Sequence, residues 1–281
     1  MLFDTHLHLI YPNKIGYPWL SEVAKLNKPY NYEEYEITAN RLGIDGCFHM
    51  EVDVSQSDIK NETAMLESLS NQPGSKIKGI ISACRPEQQG FDDFLNWASQ
   101  NTLIKGFRRV LHVVSDDLSQ NLLFRENINL LSDHNLTFDI CARADQLPII
   151  VELIDACPNV KFILDHCGVP DIKNSVFSSW AAAMTNIAQR PNVTAKISGI
   201  IAYGEGESWS LTDMKPFFDH TVDVFGIKRI VWGSDSPVCA LGGGLPTWVA
   251  LTHTLTAEWS SSERKSFYKE NAKKLWNIQD N

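Results

Sequence analysis

Two histidines set two residues apart, in Phe3-Asp4-Thr5-His6-Leu7-His8-Leu9, are the first residues whose spacing permits chemistry. Phe3, Leu7 and Leu9 around them read as a strand. Successive strand side chains point to opposite faces, so His6 and His8 share one face and Leu7 takes the other. Paired imidazoles aimed the same way can bind one metal ion or hold one water. Alone, the pair reads equally well as two solvated histidines at a chain end, so its partners must come from further along. Four residues qualify: Arg108 in Gly106-Phe107-Arg108-Arg109, His166 in Asp165-His166-Cys167-Gly168, Lys196 on one strand face with Thr194 and Ser198, and Asp235 in Gly233-Ser234-Asp235-Ser236-Pro237. Each also has a plain structural reading. Aspartate after a strand often caps the next helix, His166 reads as a core histidine, and Lys196 as a surface lysine with a buried stem. Arg108 and Arg109 adjoin on one strand, so only one of them can face inward.

The elements that would position these residues alternate along the chain. Strands are predicted at 3–9, 47–54, 76–84, 103–111, 136–141, 160–166, 193–198 and 229–232. Helices are predicted at 31–42, 58–69, 91–100 and 119–134, then after a cap at Asp145 with Pro148 in the first turn. Further helices run through Trp180 to Ile187 and Met214 to Phe225, and a last one opens near the Ser260-x-x-Glu263 capping box. Two long loops interrupt the pattern, at 10–30 and 199–212. The first carries Tyr11, Tyr17 and Trp19 among its prolines, and a loop of that length is uncommon without a function; its aromatics suggest a wall over a pocket. Eight strand–helix units in about 250 residues is the count of a (β/α)8 TIM barrel, with catalytic groups at the C-terminal strand ends. No glycine-rich dinucleotide loop follows strand 1, which removes the commonest reason for an open doubly wound sheet. No repeat or linker divides the chain, so residues 1–281 are expected to form one barrel domain.

Composition narrows the class further. The 281 residues are 43% hydrophobic and 21% charged, ordinary for a soluble globular protein. A net charge of −9 argues against nucleic acid or anionic membrane as a partner. No apolar run approaches the ~20 residues of a membrane span, and no basic start precedes an apolar core at the N-terminus. Six scattered cysteines without Cys-x-x-Cys read as reduced thiols in a cytoplasmic protein.

Asp4-Thr5-His6-Leu7-His8, Leu164-Asp165-His166-Cys167-Gly168-Val169-Pro170, Lys196-Ile197-Ser198-Gly199 and Trp232-Gly233-Ser234-Asp235 together resemble the amidohydrolase superfamily. More narrowly they resemble the amidohydrolase-2 branch containing L-fuconolactonase and related sugar-lactone and pyrone-dicarboxylate lactonases, a branch that Tyr17-Pro18-Trp19-Leu20 and Gly106-Phe107-Arg108 also resemble. The resemblance spans the whole chain in order. It implies a metallo-dependent-hydrolase barrel of carbohydrate metabolism that opens a small sugar-acid or carboxylated lactone, with Asp235 as general base and acid. His6, His8, His166 and Asp235 would ligate one divalent metal, zinc first, or the histidines would polarise the carbonyl in a metal-free site. Asp139 and Cys141 stand on strand 5 where metal-rich members carry histidine, and no lysine there offers a carbamate bridge, which argues against two metals. The Gly-x-Arg match selects Arg108 over Arg109 for the pocket, where its guanidinium would grip a carboxylate or lactone oxygen. Tyr17, Trp19 and Lys196 complete the expected substrate contacts, and His49, Glu51, Arg85 and His112 form a second rank. His134 and His220, in helices, are expected at structural or surface positions. The expected partner is a small-molecule lactone, and homo-oligomer formation is left open. The alternatives are a non-oxidative decarboxylase of the same superfamily and a non-enzymatic ligand-binding barrel.

Overall fold

The computed structural model describes residues 1–279. Its strands are β1 (Leu2–Leu7), β2 (Ile44–Met50), β3 (Ile77–Ala83), β4 (Ile104–Val110), β5 (Thr137–Cys141), β6 (Lys161–Leu164), β7 (Val193–Ser198) and β8 (Ile230–Gly233). Each pairs in parallel with the next in sequence, giving one eight-stranded sheet in the order β1 to β8. The ring closes just past the strand ends, where Asp235 N–H donates to His6 O and His8 N–H to Ser236 O, each at 2.8 Å. The expected (β/α)8 barrel is therefore the fold.

Its helices are α1 (Tyr32–Leu42), α2 (Ile59–Ser70), α3 (Phe91–Ala98), α4 (Asp117–Gln120), α5 (Leu122–Asn129), α6 (Leu147–Ala156), α7 (Ser178–Ile187), α8 (Leu211–Phe225), α9 (Gly244–Leu255), α10 (Ser261–Lys265) and α11 (Asn271–Leu275). Helix α1 shows why they begin and end where they do. The Asn31 side chain accepts from Glu34 N–H at 2.9 Å, and Gly43 at φ 73° supplies the left-handed stop. No helix among the described residues is long and apolar enough to cross a membrane.

The barrel interior has two unlike halves. At the N-terminal end Phe3, Phe48, Ile81, Ile163 and Val231 form an apolar plug with Trp276, just past α11, whose Nε1–H donates to Thr137 Oγ1 at 3.1 Å. Towards the C-terminal end the interior turns polar and charged. Strand β1 crosses this boundary through an irregularity. Its register against β2 shifts between Asp4 and Leu7, so Phe3 joins the interior plug while Asp4 accepts from Tyr35 Oη on α1. A strictly alternating strand could not send both Phe3 and His6 inward.

Several expected boundaries move. Strand β6 stops at Leu164, not 166, because His166 and Cys167 adopt left-handed φ values of 52° and 54°. Strand β2 stops at Met50, not 54, and Val52 and Val54 instead pack under the 10–30 loop. The expected helix 119–134 is split by Asn121, whose extended backbone ends α4 and caps α5. Asp145 does not cap a helix; it lies inside a short 3-10 turn and pairs with Arg143 at 3.0 Å. Helix α9, with Gly244 and Pro246 in its first turn, lies outside the elements predicted from the sequence. The 10–30 loop is clasped by paired backbone bonds between Ile10 and Tyr30 and carries a 3-10 turn at Pro18–Glu22.

Candidate active site

His6 and His8 leave β1 pointing into the open end of the barrel. Their Nε2 atoms lie 3.1 Å apart, and Asp235 Oδ1 stands 3.6 Å from the first and 3.3 Å from the second. A backbone carbonyl and a buried carboxylate hold this arrangement. His8 Nδ1 lies 2.9 Å from Met50 O and can only donate there, so in a neutral ring Nε2 keeps its lone pair towards the centre. His6 Nδ1 faces Asp165 Oδ1 at 3.4 Å. Burial pushes both imidazoles down, His6 well below the usual histidine range, which keeps their lone pairs free. Asp4, turned outward, accepts from His6 N–H and Ser234 N–H and so ties the histidine strand to the turn carrying Asp235. Asp235 itself is left-handed at φ 56°. A Cβ on Gly199, also left-handed at φ 56°, would stand 2.4 Å from Asp235 Cβ, so only glycine admits the carboxylate at that point.

His166 faces the same centre from the turn after β6. Its Nδ1 is 3.2 Å from Ser198 O and 3.6 Å from Asp235 Oδ2, and its ring centre is 4.5 Å from that of His6. Burial alone would lower it, but the Asp235 charge and contacts with Cys141 and Asp165 outweigh that and raise His166 to about 9. The site thus sets two imidazoles lowered by burial beside a third raised by its acidic neighbours.

Beneath it runs a buried ionic network. Lys196 Nζ pairs with Asp139 Oδ1 and lies 3.0 Å from Asp165 Oδ1, all three side chains being fully buried. Arg108 Nε donates to Glu51 Oε1 at 2.6 Å and Nη2 to Glu51 O at 2.8 Å, while Nη1 lies 3.4 Å from Asp165 Oδ2. Burial raises the Asp139 carboxyl to about 7 despite Lys196. Burial acts the same way on Asp165, but Lys196 and His6 overcome it and hold that carboxyl well below its usual range.

The pocket above these groups has a volume of about 360 Å³, at the small end for ligand sites. His8, Arg108, His166, Asp235 and Trp19 line it, while His6, fully buried, touches His8 without lining the pocket. Two expected contacts do not line it either. Lys196 sits below the pocket, consumed by its two carboxylates. Tyr17 packs into the loop's own apolar core, where its Oη accepts from Tyr11 N–H. Arg108 faces inward and Arg109 outward, the latter pairing with Glu87 at 3.0 Å, yet the Arg108 fork already grips Glu51 rather than standing free for a ligand. In the second rank, His112 lines the pocket with Nδ1 3.2 Å from Cys141 Sγ, whereas His49 points outward to Glu62 and Arg85 spans Cys84 O and Val54 O. Of the helical pair, His220 Nε2 contacts Ala181 O at 2.9 Å between α7 and α8, and His134 ends a 3-10 turn. Tyr203 also lines the pocket and packs edge-on against His166, and no motif marked it in the sequence. Its one signal is its position four residues after Gly199, in the turn that follows β7.

The donor set fits a divalent ion. Four ligands at about 2.0–2.1 Å in a tetrahedron stand roughly 3.3 Å from one another. The His6, His8 and Asp235 donor atoms, 3.1 to 3.6 Å apart, match such a face. His6, Asp165 and His166 form a second convergent group.

Comparison with known proteins places this geometry in context. A family model described as amidohydrolase matches residues 3–278. An L-fucono-1,5-lactonase of Burkholderia multivorans is 23% identical over 282 residues, covering 94% of this chain and 92% of that protein. An L-fucono-1,5-lactonase of Burkholderia ambifaria is 30% identical over 140 residues, 50% of this chain and 48% of that protein. A crystal structure of an amidohydrolase from Burkholderia multivorans with bound zinc shares the fold at a TM-score of 0.90 and 21% identity, over 99% of this chain and 100% of that one.

Proposed function

The chain belongs to the amidohydrolase family, and on that premise we propose that it is a hydrolase that opens a small lactone, with Asp235 as general base and then general acid. The observation that carries this reading is the convergence of Asp235 with His6, His8 and His166 at the base of one pocket, which His8, His166 and Asp235 line. The lactonase names of two relatives support a cyclic ester as the substrate.

Lactone opening requires a proton to leave water, charge to gather on the carbonyl oxygen, and a proton to reach the departing ring oxygen. Asp235 Oδ1 faces the Nε2 atoms of His6 and His8, while Oδ2, buried without a hydrogen-bond donor and 3.6 Å from His166 Nδ1, is the oxygen placed to take the water proton. The water oxygen bonds to the ester carbon, and the carbonyl electron pair moves onto oxygen, where the protonated His166 offers a donor. When the tetrahedral intermediate collapses, the ring C–O bond breaks and Asp235 returns its proton to the leaving alkoxide. The product is one hydroxy acid containing every atom of the lactone and the water. A divalent ion, zinc by preference, held by Nε2 of His6 and His8 and by Asp235 Oδ1, would supply Lewis-acid polarisation and a more acidic water when bound. One carboxylate serves both proton steps, which typically contributes ~10²–10⁴-fold.

The test is a panel of 1,4- and 1,5-lactones, sugar-derived and alkyl, followed by acid release with a pH indicator. At least one member should be opened by the wild-type protein and spared by Asp235→Asn. A panel untouched at high enzyme concentration would remove the lactonase reading.

A further inference from the structure

The polar floor of the pocket is small, and what rises above it is apolar. We propose that the lactone accepted here carries a neutral alkyl or aryl substituent rather than a polyhydroxylated chain or a carboxylate. The proposal rests on the lactonase reading and narrows its substrate class. It departs from the expectation, drawn from Arg108, of a hydroxylated or carboxylated ligand.

Three observations carry it. First, Trp19, Val23, Leu26, Val52, Val238 and Leu241 line the pocket, and the 10–30 loop that brings the first three is fastened by its own apolar core and the Ile10–Tyr30 clasp. Second, three of the donors that a sugar or carboxylate would draw on are committed to protein acceptors, and His112 and Tyr203 are further polar side chains on the wall. Arg108 is forked onto Glu51, Lys196 lies out of reach between Asp139 and Asp165, and Trp19 Nε1–H donates to Val52 O at 2.8 Å. Third, the charged residues on the upper wall, Glu22 and Asp53, are both acids, the second lying 3.8 Å from Arg85. A carboxylated ligand would enter past like charge, and Arg108 below it is already paired with Glu51.

The consequences for binding are large. Each ligand hydroxyl desolvated against these walls without a partner loses roughly ten- to hundredfold in affinity. Each methylene that replaces water against them gains up to about fourfold. A four-carbon chain on the lactone ring therefore has a ceiling near a few hundredfold, while a row of hydroxyls is penalised several times over.

The experiment uses the full chain and four probes: δ-valerolactone, δ-nonalactone, D-glucono-1,5-lactone and 2-pyrone-4,6-dicarboxylate. Turnover by the wild-type protein is paired with calorimetric binding of the same probes to Asp235→Asn. We expect kcat/KM for δ-nonalactone to exceed that for δ-valerolactone by at least tenfold and that for the other two by at least hundredfold, with binding in the same order. Leu241→Gln should cost δ-nonalactone at least tenfold more than it costs δ-valerolactone. Turnover that favours the gluconolactone or the dicarboxylate would overturn this inference and leave the lactonase reading standing. Tight binding of δ-nonalactone without turnover of any probe would overturn the lactonase reading and keep the pocket's preference. Neither turnover nor binding would overturn both.

Discussion

At the scale of single residues, Asp235 and Arg108 make opposite cases. Asp235→Asn keeps size and hydrogen bonding but removes the proton acceptor, so kcat on the best lactone should fall by ~10²–10⁴-fold with the circular dichroism spectrum unchanged. A near-wild-type rate would reduce Asp235 to a turn residue. Arg108 was legible as an inward residue because only one of two adjacent arginines on a strand can face in, and the Gly-x-Arg resemblance selected it over Arg109. What it touches was not legible, since Glu51 comes from the segment after β2 and reaches Arg108 on β4 only once the barrel has closed. The contact changes the expected phenotype. Arg108→Met should raise KM less than it lowers stability, because it strands Glu51 in the interior; breaking a buried pair costs ~3–5 kcal/mol. Urea denaturation would show this, and Glu51→Gln added to Arg108→Met should restore part of the loss. Arg109→Met, which breaks a mostly buried ion pair with Glu87 on the outer face of the strand, should leave kcat/KM closer to wild type than Arg108→Met does.

At the scale of elements, all eight strands were readable as short segments alternating with helices, although β2 and β6 end earlier than expected. The turns after the strands were not, and the site lives in those turns. His166 stands in a run of left-handed residues from His166 to Val169, a conformation that no propensity favours for histidine, cysteine or valine. The β1 irregularity is equally invisible locally, since Phe3 and His6 both face inward only because the register shifts between Asp4 and Leu7. Gly199 is where such a turn meets the chemistry. Gly199→Ala would pay about 1–2 kcal/mol for its left-handed φ and would also drive Asp235 from its place, so activity should fall much further than melting temperature suggests. A variant with full kcat/KM and only a lowered melting temperature would show that the close approach is not needed for catalysis.

At the scale of the whole molecule, the barrel divides its interior between stability and function. The apolar plug around Phe48 and Trp276 is a packed core, and Trp276→Ala should cost ~3–5 kcal/mol without touching the site. The opposite end holds neutral imidazoles and carboxylates at distances set by β1 and by the turn after β8. These lie at opposite ends of the sequence and meet only when the ring closes through His6, His8, Asp235 and Ser236. A divalent ion held there would bind the closed ring and not the unfolded chain, so its affinity would add to the stability of the entire barrel. At a hundredfold excess over Kd the gain is about 2.7 kcal/mol, worth roughly 5 °C in a domain of this size. Chelator-treated protein given zinc should therefore melt about that much higher. His8→Asn should lose most of the shift, while Trp276→Ala should start from a lower melting temperature and keep it. An equal shift in wild type and His8→Asn would place the bound ion elsewhere, and no shift in either would leave His6 and His8 to act as neutral imidazoles beside Asp235.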